Sequence, residues 1–262
     1  MKITKKVLLE NEFYLYSEHG GGPASYTITN GTLEILYGKQ RLEFPYPYDP
    51  RAFTVWNAIL TEAGEVFLIV GDWLDDDDYI LKLSKNGTNH ATVGYGLADF
   101  LVVNGDAYLL YTEEGVFHED SDKASNGFSC YVLLKWDSIR NKMERVLADQ
   151  FWHSMVDGNS LCFDGKENLL IFYYGDEYGN CCLKYNLATN QGERYKVPTY
   201  YDWSYYYDNS CFGFDGKGIA EFNSKLELVS YIALDIADVH QFIGGYQTLI
   251  AIKNDKSCSI YQ

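Results

Sequence analysis

The stretch LKYNLATNQG (Leu183–Gly192) decides how this chain is read, because it has two close counterparts, LKLSKNG (Leu81–Gly87) and LKWDSIRN (Leu134–Asn141). Each runs Leu-Lys, a large apolar residue, then Ser, Asp or Asn, then turn-forming residues. Alternating apolar and polar positions closed by Asn or Gly describe a half-buried strand entering a tight turn. The lysines, Lys82, Lys135 and Lys184, recur about every 50 residues, within the range of known structural repeats. Looser copies occur at TITNG (Thr27–Gly31), AEFNSK (Ala220–Lys225) and CSIYQ (Cys258–Gln262), which brings the copies to six. FDGK occurs at Phe163–Lys166 and Phe214–Lys217 and reads as a second repeated position.

Around these copies lie other strand-like runs. VFLIVGD (Val66–Asp72), AYLLYTEE (Ala107–Glu114), LLIFYYGD (Leu169–Asp176) and TLIAIKND (Thr248–Asp255) precede four of them, and TLEILYG, HATVGYG, KMERVLAD, GERYKVP and KLELVSYI follow most. These runs are short, β-branched or aromatic, and bounded by Gly, Asn and Asp. DSIRNKMERVLADQF is the best helical candidate, and turn plus strand is preferred there. A unit of roughly 40 to 50 residues with about four strands, which cannot bury both faces alone, resembles the blade of a β-propeller. The N-terminal KITKKVLLE is similar to the fourth-strand runs, and CSIYQ lacks a following strand. The expected fold is therefore all-β: a six-bladed propeller over 1–262, one domain, closed by the N-terminal strand, with five blades as the alternative. Blades one and five look a strand short. Neither the GH…WD pattern of WD repeats nor the kelch glycine pair is present, so the resemblance implies architecture and no particular activity.

Composition narrows the function classes. Of the 262 residues, 47% are hydrophobic, enough for one large all-β domain or two small ones. There are 21 basic against 37 acidic residues, a net charge of -16. Such a surface repels nucleic acid and anionic lipid and favours a basic protein partner. The start, MKITKKVLLENEF, has no long apolar run, and no stretch approaches ~20 apolar residues. A chain without signal peptide or membrane helix, placed in the cytoplasm, is expected. None of the six cysteines forms a CxxC pair, so buried reduced thiols are expected and a zinc site fits poorly. Adjacent Cys181 and Cys182 should point to opposite faces of a strand. No cofactor is expected.

In a propeller, the loop between strands two and three shares a face with the connections between blades. The inner loops read as Ser17–Ser25, Gly71–Tyr79, Thr112–Ser129 and Gly175–Asn180, and the connections as Phe44–Phe53, Ala148–Met155, Val197–Asn209 and Ala233–His240. Acid and aromatic residues collect there. The partner-binding candidates are Asp72, Trp73, Asp75, Asp76, Asp77, Asp78, Phe117, Glu119, Asp120, Trp152, Asp176, Tyr178, Tyr201 and Trp203. Charge would steer encounter and the rings would anchor it. An immunity-type inhibitor covering the active site of a basic toxin is one concrete form of this expectation. The alternatives are a carbohydrate-binding protein or enzyme with a central pocket, and a scaffold subunit.

Bland readings stand beside each candidate. Asp75–Asp78 is otherwise a solvated hairpin loop, and four contiguous carboxylates lack the alternation of a Ca²⁺ loop. Tyr200, Tyr201 and Tyr205–Tyr207 can pack between blades as well as stack on a partner or a sugar. His118, beside Glu119 and Asp120, has the composition of a general base and equally that of a solvated loop. Gly20–Gly22 lacks the Lys-Ser/Thr of a phosphate loop.

Overall fold

The repeated Leu-Lys stretches are the third strands of antiparallel meanders, and their turns explain the motif. In LKYNLATNQG the carboxamide Oδ1 of Asn186 accepts the amides of Ala188 and Thr189. In LKWDSIRN the carboxylate Oδ1 of Asp137 accepts those of Ile139 and Arg140. Each turn closes on an asparagine in the left-handed region, Asn190 at φ 56° and Asn141 at φ 52°. That asparagine then meets the buried ring of its own strand: Tyr185 Oη lies 3.2 Å from Asn190 Oδ1, and Trp136 Nε1 donates to Asn141 Oδ1 at 3.0 Å. The motif lysines meet acids from neighbouring strands, Lys82 with Glu65 at 2.8 Å and Lys135 with Asp106 at 3.3 Å.

The computed structural model describes residues 3–4, 13–17, 22–72, 78–113, 132–147, 151, 154–245, 247–255 and 257–262. The chain begins with β1 (Ile3–Thr4). An eight-stranded sheet follows, made of β2 (Phe13–Ser17), β3 (Gly22–Thr29), β4 (Thr32–Tyr37), β5 (Gln40–Pro45), β6 (Phe53–Leu60), β7 (Val66–Asp72), β8 (Asp78–Ser84) and β9 (Gly87–Thr92). Its order is β5-β4-β3-β2-β6-β7-β8-β9, two antiparallel meanders joined by the parallel pairs Tyr16↔Ile59 and Ser17↔Leu60. Three separate four-stranded meanders come next. They are β10 (Leu97–Val103), β11 (Asp106–Tyr111), β12 (Leu133–Asp137) and β13 (Lys142–Arg145); then β14 (Asp157–Phe163), β15 (Asn168–Gly175), β16 (Gly179–Asn186) and β17 (Gln191–Lys196); then β18 (Trp203–Tyr207), β19 (Ser210–Phe214), β20 (Gly218–Phe222) and β21 (Leu228–Ala233). The last sheet holds β22 (Val239–Gly245), β23 (Thr248–Lys253) and β24 (Cys258–Tyr261), with β1 as its fourth strand through Ile3↔Tyr261 and Thr4↔Ile260. The molecule is thus all-β and propeller-like, with four separate four-stranded sheets beside the eight-stranded one, and the N-terminal strand pairs with the C-terminal one. DSIRNKMERV is turn plus strand, with Lys142–Arg145 forming β13.

Three expectations need correction. TITNG ends β3, the second strand of its meander, so it is out of step with the third-strand copies; TLEILY is the third strand, β4. The meander β18–β21 lacks nothing, because WSYYY, assigned to a connection, is its first strand. FDGK does not mark equivalent places: Asp164 opens the turn between first and second strands, β14 and β15, and Asp215 the turn between second and third, β19 and β20. What the two copies share is local chemistry. Asp164 Oδ1 accepts the amides of Lys166, Glu167 and Asn168, and Asp215 Oδ1 those of Lys217 and Gly218.

The core lies between sheets. Phe67 of β7 meets Trp136 of β12 edge to face at 6.2 Å. Cys181 packs in one apolar cluster and Cys182 in another, as opposite faces of one strand require. The five described cysteines are free thiols and buried; Cys162 and Cys211 approach to 3.8 Å between sheets. Asp99 is buried on β10, where Oδ1 accepts the Phe100 amide and Oδ2 the Leu161 amide of the neighbouring sheet, both at 2.8 Å. Burial pushes its pKa up to about 7, against the pull of those two amides.

Candidate protein-docking site

One end of the strand bundle gathers every junction between second and third strands together with the connections between meanders. Backbone hydrogen bonds tie the two sets: Tyr46 N to Gly31 O, Val93 N to Asp78 O, Thr112 N to Gly96 O, Val197 N to Asn180 O, Leu234 N to Lys217 O and Asn254 N to Asp238 O, all between 2.8 and 3.0 Å. One loop expected here belongs elsewhere. The pair Ser17↔Leu60 sets the β2–β3 connection beside the β6–β7 turn, at the opposite end. Ser17 and Gly22, the strand ends at this connection, therefore lie away from the candidate surface, and residues 18–21, with Gly20 and Gly21, lie outside the described ones.

Among the described residues both ends carry acids, and the junction end also bears exposed Lys217. The described segments at the junction end carry exposed Asp176, Glu177, Asp202, Asp235, Asp238 and Asp255 with half-buried Asp215. Arg51 there is held by Asp49 through contacts of 2.8 and 3.1 Å, and this hydrogen-bonded pairing brings the Asp49 pKa down to about 2. Turns at the other end bear Lys39, Lys85, Arg140, Lys166 and Lys225 together with Glu62, Asp164, Glu167, Asp208 and Glu227. At the junction end, the Glu113 amide donates to Asp157 Oδ1 at 3.0 Å. Burial, then the charges of Asp157 and Asp202, raise the Tyr200 pKa. Burial and the nearby Asp215 raise that of Asp202. Tyr231 Oη reaches both Asp215 oxygens at 3.1 Å. Exposed Tyr200 thus lies near Asp157 and Asp202, and Asp202 lies near Asp215.

The candidates fare differently. Asp176 and Tyr178 sit in the exposed β15–β16 turn, where the Arg194 guanidinium covers the Tyr178 ring at 4.4 Å and donates to Ser154 Oγ at 2.6 Å. Asp78 begins β8 and Asp72 ends β7. Trp73, Asp75, Asp76, Asp77, Phe117, Glu119, Asp120 and Trp152 lie outside the described residues, as does His118. Tyr201 is removed from the surface: it is 1% exposed, seated on Gly213 and between Phe172 and Phe222 at ring distances of 5.5 and 5.6 Å. Trp203 is a strand residue, half-buried against Gly244.

Trp56 was missed by sequence. It is 60% exposed near this end of β6, and its indole lies across Gly71, with Nε1 2.0 Å from where a Cβ would stand. Simple alternation assigns it to the buried face of Ala58 and Leu60. A β-bulge between Val55 and Asn57 reverses the phase and turns it outward. Exposed Tyr174 and Tyr95 were also missed. The cluster Tyr206–Tyr207 lies at the opposite end, in a pocket of about 280 Å³ with Asp164, Asp208, Asn209 and Gln247. Among the described residues, no three His, Cys, Asp or Glu side chains gather as a metal site would require, and no helix is long and apolar enough to cross a membrane.

No protein-family model matches the chain, and no curated protein matches it in sequence. Its structure is similar to the AfRom2 CNH domain (TM-score 0.54, 7% identity, 98% of both chains). It is also similar to Hsv2 of Kluyvelomyces marxianus (TM-score 0.53, 12% identity, 95% of this chain and 71% of that one). A glucose dehydrogenase gives a TM-score of 0.50 at 12% identity over 98% of both chains. At such identities the likeness establishes the propeller-like fold and nothing of activity.

Proposed function

We propose that this chain is a protein-binding propeller whose junction end docks a basic partner, with Asp176, Tyr178, Tyr200, Asp202, Trp56 and the carboxylates of Asp75–Asp78 among its contacts. Counting the two meanders of the eight-stranded sheet separately gives six blades, and this count belongs to the same proposal. The observation that supports it is the nearness of Asp202 to Asp215 and of exposed Tyr200 to both Asp157 and Asp202. Burial, and then the charge of Asp215, raise the Asp202 pKa, so the ionised form of Asp202 costs the free protein stability. A cationic side chain from a partner removes that cost on binding, and the neighbouring rings supply contact area. An inhibitor that covers the active site of a basic toxin is one form of such a partner, acting by occlusion and charge complementarity. No ligand, cofactor or chemical step is needed for this role.

The test uses the partner recovered from native cells by capture at low salt and release at high salt. Asp202→Asn should stabilise the free protein at neutral pH, by no more than about 1 kcal/mol at so exposed a position, while weakening the partner's affinity. The sign follows from linkage. A raised folded-state pKa means stability is lost as pH climbs above the ordinary carboxylate value, so removing the charge restores it. An Asp202→Asn chain that binds its partner as tightly as the parent would contradict the proposal.

A further inference from the structure

The strand β21 (Leu228–Ala233) closes one side of its sheet, and among the described residues no strand pairs with its outer edge. Natural sheets protect such edges with charge, because unpaired amides and carbonyls recruit other strands. Here the comparison within one molecule is direct. Outer strand β5 carries Arg41 and Glu43, β13 carries Lys142, Glu144 and Arg145, β17 carries Glu193, Arg194 and Lys196, and β9 is polar with Thr88, Asn89 and His90. The sequence of β21 is LVSYIA, without a charge, and its side chains are exposed on both faces. Val229 is 59% and Leu228 50% exposed, with Tyr231 and Ile232 close behind.

The edge is also shaped. A bulge at Val229, between the pairs Glu221↔Ser230 and Phe222↔Leu228, leaves Ser230–Ala233 as the regular ladder. Tyr231 is fixed on one face by its two hydrogen bonds to Asp215 and lies over Gly218, where a Cβ would come within 2.7 Å of its ring. Such prior ordering lowers the cost of association. Beside Leu228 a groove of about 690 Å³ runs between β17 and β21 over Tyr195, Pro198, Phe222 and Leu226.

We propose that β21 is a second interaction surface, which accepts an extended apolar segment with basic flanks from another protein by adding it as a strand. The flanking charges select this occupant over a second copy of the chain. Glu227 precedes the strand and Asp235 follows it, both exposed. Antiparallel self-pairing with Tyr231 opposite Tyr231 would bring Glu227 of one copy opposite Asp235 of the other at both ends, between chains of net charge -16. A segment with lysine or arginine at its ends meets opposite charge at the same places.

The test is a nine-residue peptide with a five-residue core of alternating valine and threonine and two lysines at each end, titrated into the full chain. Amide hydrogen exchange at Ser230–Ala233 should slow at least tenfold at saturation. The same core with glutamates at its ends, or with alternate amides N-methylated, should bind at least tenfold more weakly. Ile232→Lys should weaken the basic peptide at least tenfold while leaving the melting temperature of this exposed position unchanged. No binding, binding without protection at Ser230–Ala233, or equal binding of the N-methylated peptide overturns the proposal. So does a dimer, seen by sedimentation, that Ile232→Lys dissociates.

Discussion

Tyr185 and Asp99 show how single residues hold this chain. Tyr185 is fully buried, yet its hydroxyl donates to Val146 O at 3.0 Å and reaches Asn190 Oδ1. Tyr185→Phe leaves both acceptors without that donor and should cost about 1–3 kcal/mol in urea unfolding; a change below about 0.5 kcal/mol would mean the ring alone matters. Asp99 bridges β10 and β14 through a carboxylate whose pKa is pushed up to about 7 by burial. Its folded pKa exceeds the unfolded value of about 3.9, so this group's contribution to stability is full below that value and falls as pH rises toward 7. Asp99→Asn does not titrate. Its stability relative to the parent should therefore improve from pH 4 to pH 7.5, and a difference flat with pH would refute the assignment. The Leu-Lys-aromatic motif was legible because each of its positions answers a local demand: outward lysine, inward ring, turn-forming asparagine. Tyr201 was not, since nothing local tells a ring that covers Gly213 from one that faces a partner.

At the scale of the element, short-range chemistry misled where it repeats without a register. Both FDGK copies make an aspartate-capped turn, and that chemistry serves a first turn as well as a second. WSYYY reads as loop beside VPTYYD, yet it forms the innermost strand of its sheet. Bulges add a further shift. They interrupt β6, β10, β14 and β22 near their starts, between Val55 and Asn57, Leu97 and Asp99, Gly158 and Ser160, and Val239 and Gln241. Alternation cannot see an inserted residue, and Trp56 is exposed for that reason. By contrast the pairing of β1 with β24 was legible, because the last copy visibly lacked its fourth strand and the first residues resembled one. Deleting residues 1–4 opens the β24 edge. It should cost roughly 2 kcal/mol, about 4–8 °C in Tm for a domain of this size. An unchanged melting curve would show that the pairing contributes nothing to stability.

For the whole molecule, the arrangement of the connections bears on the proposed function. Topology sends the second-to-third-strand junctions and the inter-meander connections to one end, where the described acids include Asp157, Asp176, Asp202 and Asp215. The net charge was legible in the sequence and so, through the repeat, were most of the connections at this end; the end of β2 at Ser17 was missorted because the first meander was read one strand out of step. The proposal that this end meets a basic protein is tested most directly by the association rate constant of the captured partner as a function of ionic strength. The parent chain is compared with one carrying lysine at positions 75, 76, 77 and 78. The account predicts a rate for the parent that falls steeply with salt, and for the charge-reversed chain a rate at least tenfold lower at low salt with a flattened salt dependence. Equal rates and equal salt dependence for the two chains would contradict it.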